Sequence, residues 1–291
     1  MCWTPIWRGR RRSVDLLAGY TLIQLVLLVA GLALTGIVAG ILAGLLGVGG
    51  GIVIVPVLYH VFTGIGIDEA VRMHLAVGTS LATIVATSTR SMRAHREKGA
   101  VDMQLLKQLA PPIVVGVLLG SVLAGWLDSH ALMGVFAAVA LIVALHLAFG
   151  REEWRIADQF PAGVLRAAIG TVIGLISVLM GIGGGTVGVP VLSLYNTPIH
   201  RAVGTATGFG LIIAVPGTLA MMANGWGAPG LPPLSLGYVN LLGFALIVPT
   251  TILAAPWGAN LAHAISRPAL RRVFSLFLGF TSLRMFLDLL A

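Results

Sequence analysis

Charge is scarce in this chain. Of 291 residues, 10% are Asp, Glu, Lys or Arg, while 57% are hydrophobic. None of the four occurs between Asp15 and Asp68, or between Arg201 and Arg267. A bilayer is crossed by about 20 apolar residues, so each window holds two or more membrane segments. A soluble globule of this length needs far more polar surface. Cysteine is almost missing too: Cys2 is the single one, which excludes an internal disulfide and any thiolate cluster. No nucleophile–base pair, no paired carboxylates within an apolar segment and no phosphate loop of the Gly-Lys-Thr type are present, and no His spacing suits a metal. These absences point away from an enzyme, from metal or other cofactors, and from ATP as the energy source.

The net charge of +8 does not indicate nucleic-acid binding. The basic residues gather in short stretches, Arg8 to Arg12, Arg90 to Lys98 and Arg267 to Arg272, as they do where charge encodes membrane orientation. Residues 16–36 have the apolar character of a signal peptide. Apolar sequence continues to Gly47 without a clear cleavage site, so a retained anchor is expected.

Glycine is what the chain has in abundance. Gly47-Val48-Gly49-Gly50-Gly51 recurs 134 residues later as Gly181-Ile182-Gly183-Gly184-Gly185. Adjacent glycines disfavour helix by about 1 kcal/mol each relative to Ala. Unwound backbone at membrane depth persists only where protein buries it or where it lines a polar cavity. A paired interruption in two halves points to a transport site.

The repeat reaches further than the glycines. Both blocks lead to a proline, Pro56 and Pro190. Ala76-Val77-Gly78-Thr79 matches Ala202-Val203-Gly204-Thr205, and Gly99-Ala100-Val101-Asp102 matches Gly237-Tyr238-Val239-Asn240. Ala131-Leu132 with Val135-Phe136 matches Ala269-Leu270 with Val273-Phe274. The predicted organisation is a basic N-terminus with an additional membrane helix over 1–35, a first repeat over 36–155 and a second over 160–291.

Charge sets the relation between the halves. The basic stretch 90–98 is read as a cytoplasmic loop, whereas its counterpart around Asn224 to Leu236 is uncharged. The second half's own basic stretch, 267–272, lies one helix later, and its first-half counterpart Asp128-Ser129-His130 has no Lys or Arg. Equivalent segments thus prefer opposite sides, which predicts inverted repeats. Inversion requires an odd number of crossings per half. The long segments 70–89, 100–127 and 131–150, then 200–223, 238–264 and 269–290, supply three each. The glycine regions are therefore expected as re-entrant hairpins with arms 37–46 and 52–62, and 164–180 and 187–197. Residues 16–35 form an additional crossing in this reading; one long tilted helix over 16–46 is the alternative. The fold class is all-α and polytopic.

The doubled pattern of glycines and proline, each followed by Ala-Val-Gly-Thr, resembles the sulfite exporter TauE/SafE family, related to the 4-toluene sulfonate uptake permeases. The resemblance spans residues 36–290. It implies a multi-pass protein of the cell inner membrane, built from duplicated halves, that exports sulfite, sulfoacetate or another organosulfonate.

The residues themselves agree with an anionic substrate. A helix N-terminus presents unpaired N–H groups and roughly half a positive charge, and oxyanions bind there. The second arm of each hairpin starts at its glycines, so candidate substrate ligands are Gly49, Gly50, Gly51 and Ile52, with Gly183, Gly184, Gly185 and Thr186. The competing reading of the glycines is close helix packing, which suits the spacing Gly36-Gly40-Gly44 better than a triplet. Thr79, Ser80 and Thr205 offer hydroxyls to the anion, or else bond back to their own helices. Arg284, deep in the last apolar segment, either neutralises the substrate or pairs with Asp288 one turn on. His146 occupies the equivalent repeat position and is the candidate for proton coupling; a cation is the other candidate coupling ion. Two placements of the prolines are open. Either the helices start at Gly51 and Gly185, and Pro56 and Pro190 free the carbonyls of Ile52 and Thr186, or they start at the prolines themselves.

The function predicted is secondary transport of a small sulfur-containing anion by alternating access. An anion channel, or an uptake carrier for another small organic or sulfur anion, is the alternative.

Overall fold

Helix breakers and hydropathy together dictate where this chain turns. The computed structural model describes residues 22–46, 50–150, 155–264 and 267–290. Its helices are α1 (Leu22–Leu46), α2 (Gly51–Gly64), α3 (Glu69–Glu97), α4 (Met103–Trp126), α5 (Ser129–Phe149), α6 (Gly163–Leu179), α7 (Gly185–Leu194), α8 (Ile199–Asn224), α9 (Leu241–Ala264) and α10 (Arg267–Leu290). A two-stranded antiparallel ribbon, β1 (Ser235–Leu236) and β2 (Val239–Asn240), precedes α9. The chain is thus an all-α polytopic membrane protein. α3, α4, α5 and α8 are long and apolar enough to span a bilayer by length and composition.

All six long segments anticipated from hydropathy are single helices. Two details differ from expectation. The apolar stretch before the first glycines is one helix from Leu22 to Leu46, with no break near residue 36, as the single-helix alternative has it. Gly36 and Gly40 do not interrupt it because they sit at a helix–helix contact, Gly36 against Thr250 and Gly40 against Thr251 and Ala254 of α9. The basic stretch is also not a loop: α3 stays helical through Glu97. At about 1.5 Å per residue, its 29 residues exceed the hydrocarbon thickness. The last turns, with His95 and Arg96, therefore project beyond it. Residues 1–21, with Arg8 to Arg12, lie outside the described part.

The short helices are α2 with 14 residues, α6 with 17 and α7 with 10. At about 21, 25 and 15 Å these fall short of the roughly 30 Å hydrocarbon core. Both glycine regions turn the chain back on itself. The return of α7 is fixed by the Ile156 N–H donating to the Leu194 carbonyl at 2.8 Å and by Phe160 packing edge-on against Tyr195, ring centres 5.0 Å apart. The α6–α7 hairpin therefore enters and leaves at the end of the molecule that carries the 155–161 linker. α2 ends at the other face, where Gly230 of the 225–234 loop packs on Asp68. α1 runs parallel to α9, which starts at that same face. The two hairpins enter from opposite ends.

The two halves pack by exchanging equivalent partners. Gly36 meets Thr250, and its counterpart Gly170 meets Pro112, the counterpart of Thr250. Gly40 meets Thr251 as Gly174 meets Ile113; Gly258 meets Ile41 as Gly120 meets Leu175. Small residues let helices approach this closely where lipid supplies no hydrophobic drive between them. The same exchange governs polar contacts. Thr79 Oγ1 accepts from the Asn240 N–H, and Thr205 Oγ1 accepts from the Asp102 N–H, both at 2.9 Å. Gly78 lies on the Tyr238 carbonyl as Gly204 lies on that of Ala100. Asn240 and Asp102 then cap the helices that follow, accepting from Gly243 at 2.8 Å and Leu105 at 2.9 Å.

Candidate functional site

The two glycine turns touch. A Cβ placed on Gly51 would lie 2.8 Å from the Gly181 carbonyl oxygen and 3.0 Å from the Ile182 Cα. Gly181 in turn packs on Val77 and Val55, and Gly184 on Phe209 and Ile213. Val77 lies within the first third of α3, and Phe209 and Ile213 lie near the middle of α8, so the turns meet inside the helix bundle. Close approach of two backbones is what glycine permits and any side chain prevents.

Local geometry fixes each turn. α6 closes with Gly181 at φ 64°, the Ile182 N–H bonded to Ser177 O at 3.0 Å and the Gly181 N–H to Val178 O at 3.1 Å. This pair of bonds ends the helix and satisfies its last carbonyls. Ser80 of α3 donates its hydroxyl to the Gly181 carbonyl at 2.7 Å, tying the turn to the other half. Gly50, at φ 77°, is the residue before α2. Only glycine holds that left-handed conformation without strain. Gly49 lies outside the described residues.

α2 and α7 therefore begin inside the protein, and neither start has a side-chain cap. The contrast with α3, α4 and α5 is sharp: there Asp68, Asp102 and Asp128 accept first-turn N–H groups. Gly50, Gly51 and Ile52 are buried, as are Gly183, Gly184, Gly185 and Thr186. Two buried helix starts thus leave donors that a side chain or water ordinarily satisfies. Both helices start at the glycines, which settles the placement of the prolines. Pro56 and Pro190 lie inside α2 and α7, and each deprives a carbonyl, that of Ile52 or Thr186, of its helical partner.

One predicted side chain stands out. Thr186 is 3% exposed, yet its hydroxyl has no hydrogen-bond partner. Ser177, in the last turn of α6, is likewise buried with an unpartnered hydroxyl. Sequence reasoning passed over Ser177; its signal was a hydroxyl four residues before Gly181, in the apolar last turns of a helix whose other polar residues, Arg166 and Thr171, lie earlier. Buried polar groups are nearly always paired; among the described residues Ser121, Thr218 and His74 Nδ1 share this condition with the two hydroxyls of this turn.

Other anticipated site residues are engaged elsewhere. Thr79 and Thr205 hold Asn240 and Asp102 across the halves. Arg284 is about half exposed and pairs with Asp288 at 3.3 Å; Asp288 also lies 3.7 Å from His60 Nδ1 of α2. His60 is nine residues along α2 from Gly51, about 13 Å away along the axis, so this cluster sits apart from the glycine turns. His146 occupies the last turn of α5, half-buried. Among the described residues no group of three or more His, Cys, Asp or Glu is placed to hold a metal ion.

Comparison with known proteins agrees with this architecture. The family model described as sulfite exporter TauE/SafE matches residues 32–285. A probable membrane transporter protein of Haemophilus influenzae is 32% identical over 254 residues, covering 87% of this chain and 96% of its own length. A probable membrane transporter protein of Methanocaldococcus jannaschii is 27% identical over 91% of this chain and 97% of its own. The probable membrane transporter protein YunE of Bacillus subtilis is 27% identical over 81% and 88%. No solved structure matches the chain significantly. With its two glycine turns, its exchanged helix contacts and a family match over most of its length, this multi-pass membrane protein belongs to the sulfite exporter TauE/SafE family.

Proposed function

We propose that the chain is a secondary carrier of the inner membrane that exports a small sulfur-containing oxyanion, such as sulfite or an organosulfonate, by alternating access. The observation that carries this reading is the pair of uncapped helix starts meeting in the interior, with the Thr186 hydroxyl orphaned beside one of them. Unpaired N–H groups and the positive ends of two helix dipoles suit an oxyanion, and membership of a family of sulfite exporters suggests the sulfur chemistry. The two starts contribute unequally. Thr186 stands where the first hairpin has Ile52, so the second hairpin donates and the first forms an apolar wall. The burial of the described residues of both turns, Gly50 to Ile52 and Gly181 to Thr186, favours a carrier in an occluded state over an open channel. Entry of the hairpins from opposite ends supports inverted halves, which rock about the crossed turns to change access. Coupling to a proton or cation drives net flow, and Arg284 and His146 act at a distance from the anion in this reading.

Replacing Thr186 with Ala separates binding from folding. The hydroxyl has no partner to lose in the empty protein, so thermal stability stays level or rises slightly. An oxyanion loses one charge-assisted hydrogen bond, and affinity for sulfite falls about tenfold. Thermal shift against sulfite, with carboxylate controls, reads both quantities, because a ligand of the folded form raises its apparent stability. Unchanged sulfite binding in Thr186→Ala contradicts the assignment. Counterflow in proteoliposomes, accelerated by substrate on the far side, distinguishes a carrier from a channel.

A further inference from the structure

A cavity lies away from the glycine turns, at the face where the α6–α7 hairpin enters. It measures about 370 Å³ and is walled by the first turn of α4, the 158–160 linker, Arg166 of α6, the Tyr195–Pro198 loop and Arg201. That volume falls in the range of small-molecule sites. From this cavity the chain runs directly up α7, whose 10 residues span about 15 Å to the Thr186 turn.

Its chemistry is suited to an oxyanion. Arg166 is held in one orientation, its Nε donating to the Pro161 carbonyl at 2.9 Å and its Nη1 to Gln108 Oε1 at 2.7 Å, which leaves Nη2 for a ligand. The Arg201 guanidinium has no hydrogen bond or ion pair among the described residues. Beside it α8 begins at Pro198 without a side-chain cap. Two carboxylates share the walls. One oxygen of Asp102 caps α4 through the Leu105 N–H. Asp158 is exposed and opposes an anion. Two guanidiniums thus favour an anion in the cavity and two carboxylates oppose it, Asp158 without a helix start to cap. It also shares its face with the basic turns of α3, Arg90 to Lys98, and positive potential around a cleft raises the local concentration of anions.

We propose that this cavity is a loading vestibule, a second and transient site for the same small oxyanion, in which Arg201 and Arg166 receive it at the basic face before it passes to the Thr186 turn. The proposal rests on the carrier reading and adds a direction: the vestibule serves one face only. A phosphate headgroup shares this chemistry; the proposal commits to the soluble anion.

The test uses full-length protein in oriented proteoliposomes of neutral lipid, with sulfite as the probe, and measures initial transport from each face. Arg201→Gln raises the half-saturating sulfite concentration about tenfold from the basic face, the loss of one charge-assisted contact, and leaves the opposite face unchanged. Asp158→Asn lowers it from the basic face. Arg93→Gln, exposed on the same face but outside the cavity, leaves it within twofold. Equal effects on both faces, no effect of Arg201→Gln, or an equal effect of Arg93→Gln each overturns the vestibule. An Arg201→Gln effect that appears only when phosphatidylglycerol is added assigns the cavity to a headgroup and also overturns it. These results are separable from failure of the central site: Thr186→Ala acts from both faces, so its failure leaves the Arg201 result standing and the reverse holds equally.

Discussion

Thr79 and Thr205 illustrate how a residue's role escapes its own surroundings. Each hydroxyl accepts the N–H of a residue in the other half, Asn240 and Asp102. Nothing around Thr79 in the sequence announces a partner 161 positions away, whereas the repeat itself correctly marked both threonines as equivalent. Replacing either with Val keeps the shape but leaves a buried N–H without an acceptor, a loss of about 1–3 kcal/mol. Thermal unfolding in detergent should show Thr79→Val and Thr205→Val destabilised alike, with sulfite affinity little changed. A fall in affinity with unaltered stability would return them to the anion site. Ser80 is a clearer case of reassignment, its proton committed to the Gly181 carbonyl at 2.7 Å. For Arg284 the spacing to Asp288 was legible as a one-turn pair; the third member, His60, was not, because the contact joins α2 to α10.

At the scale of helices, the six long segments and the two breaks could be read directly. Hydropathy sets the former, and consecutive glycines followed by a proline set the latter. The continuity of α1 was hidden, since residues 22–46 are apolar throughout and carry no internal stop signal except glycines. Those glycines have another use: Gly36 and Gly40 bring α1 onto α9, as Gly170 and Gly174 bring α6 onto α4. A Cβ placed on Gly174 would meet the Ile113 carbonyl and lie 3.0 Å from the Val117 amide nitrogen. Backbone cannot yield as a side chain does, so Gly174→Leu overpacks the α4–α6 contact. A cost of about 1–3 kcal/mol follows, seen as a melting temperature already lowered in Gly174→Ala, whose Cβ meets the Ile113 carbonyl, and lowered further in the Leu variant. Equal stability of the Leu variant would show that these helices are not in contact. The glycines of the turns meet their neighbours as closely, and what sets them apart is that they border two buried helix starts without side-chain caps.

Over the whole molecule, the arrangement is two hairpins entering from opposite ends and stopping against each other, clasped by the crossed pairs α1–α9 and α4–α6. The sequence carried the duplication and the two breaks, because matching runs of glycine interrupt otherwise apolar halves. It did not carry the inequality between the turns, Thr186 against Ile52, as more than a difference of letters; burial and the orphan hydroxyl gave it meaning. The carrier reading requires these turns to separate during each cycle, since the anion reaches the helix starts only when they part.

A cysteine pair at Ile52 and Ile182, in a background where Cys2, the single native cysteine, is replaced by Ser, tests that requirement. Mild oxidation should join the two turns quickly, saturating sulfoacetate, which unlike sulfite does not cleave disulfides, should slow the joining, and the joined protein should bind and transport no sulfoacetate until reduced. Joined protein that still transports at the rate of the reduced form, or turns that never join, would contradict the account.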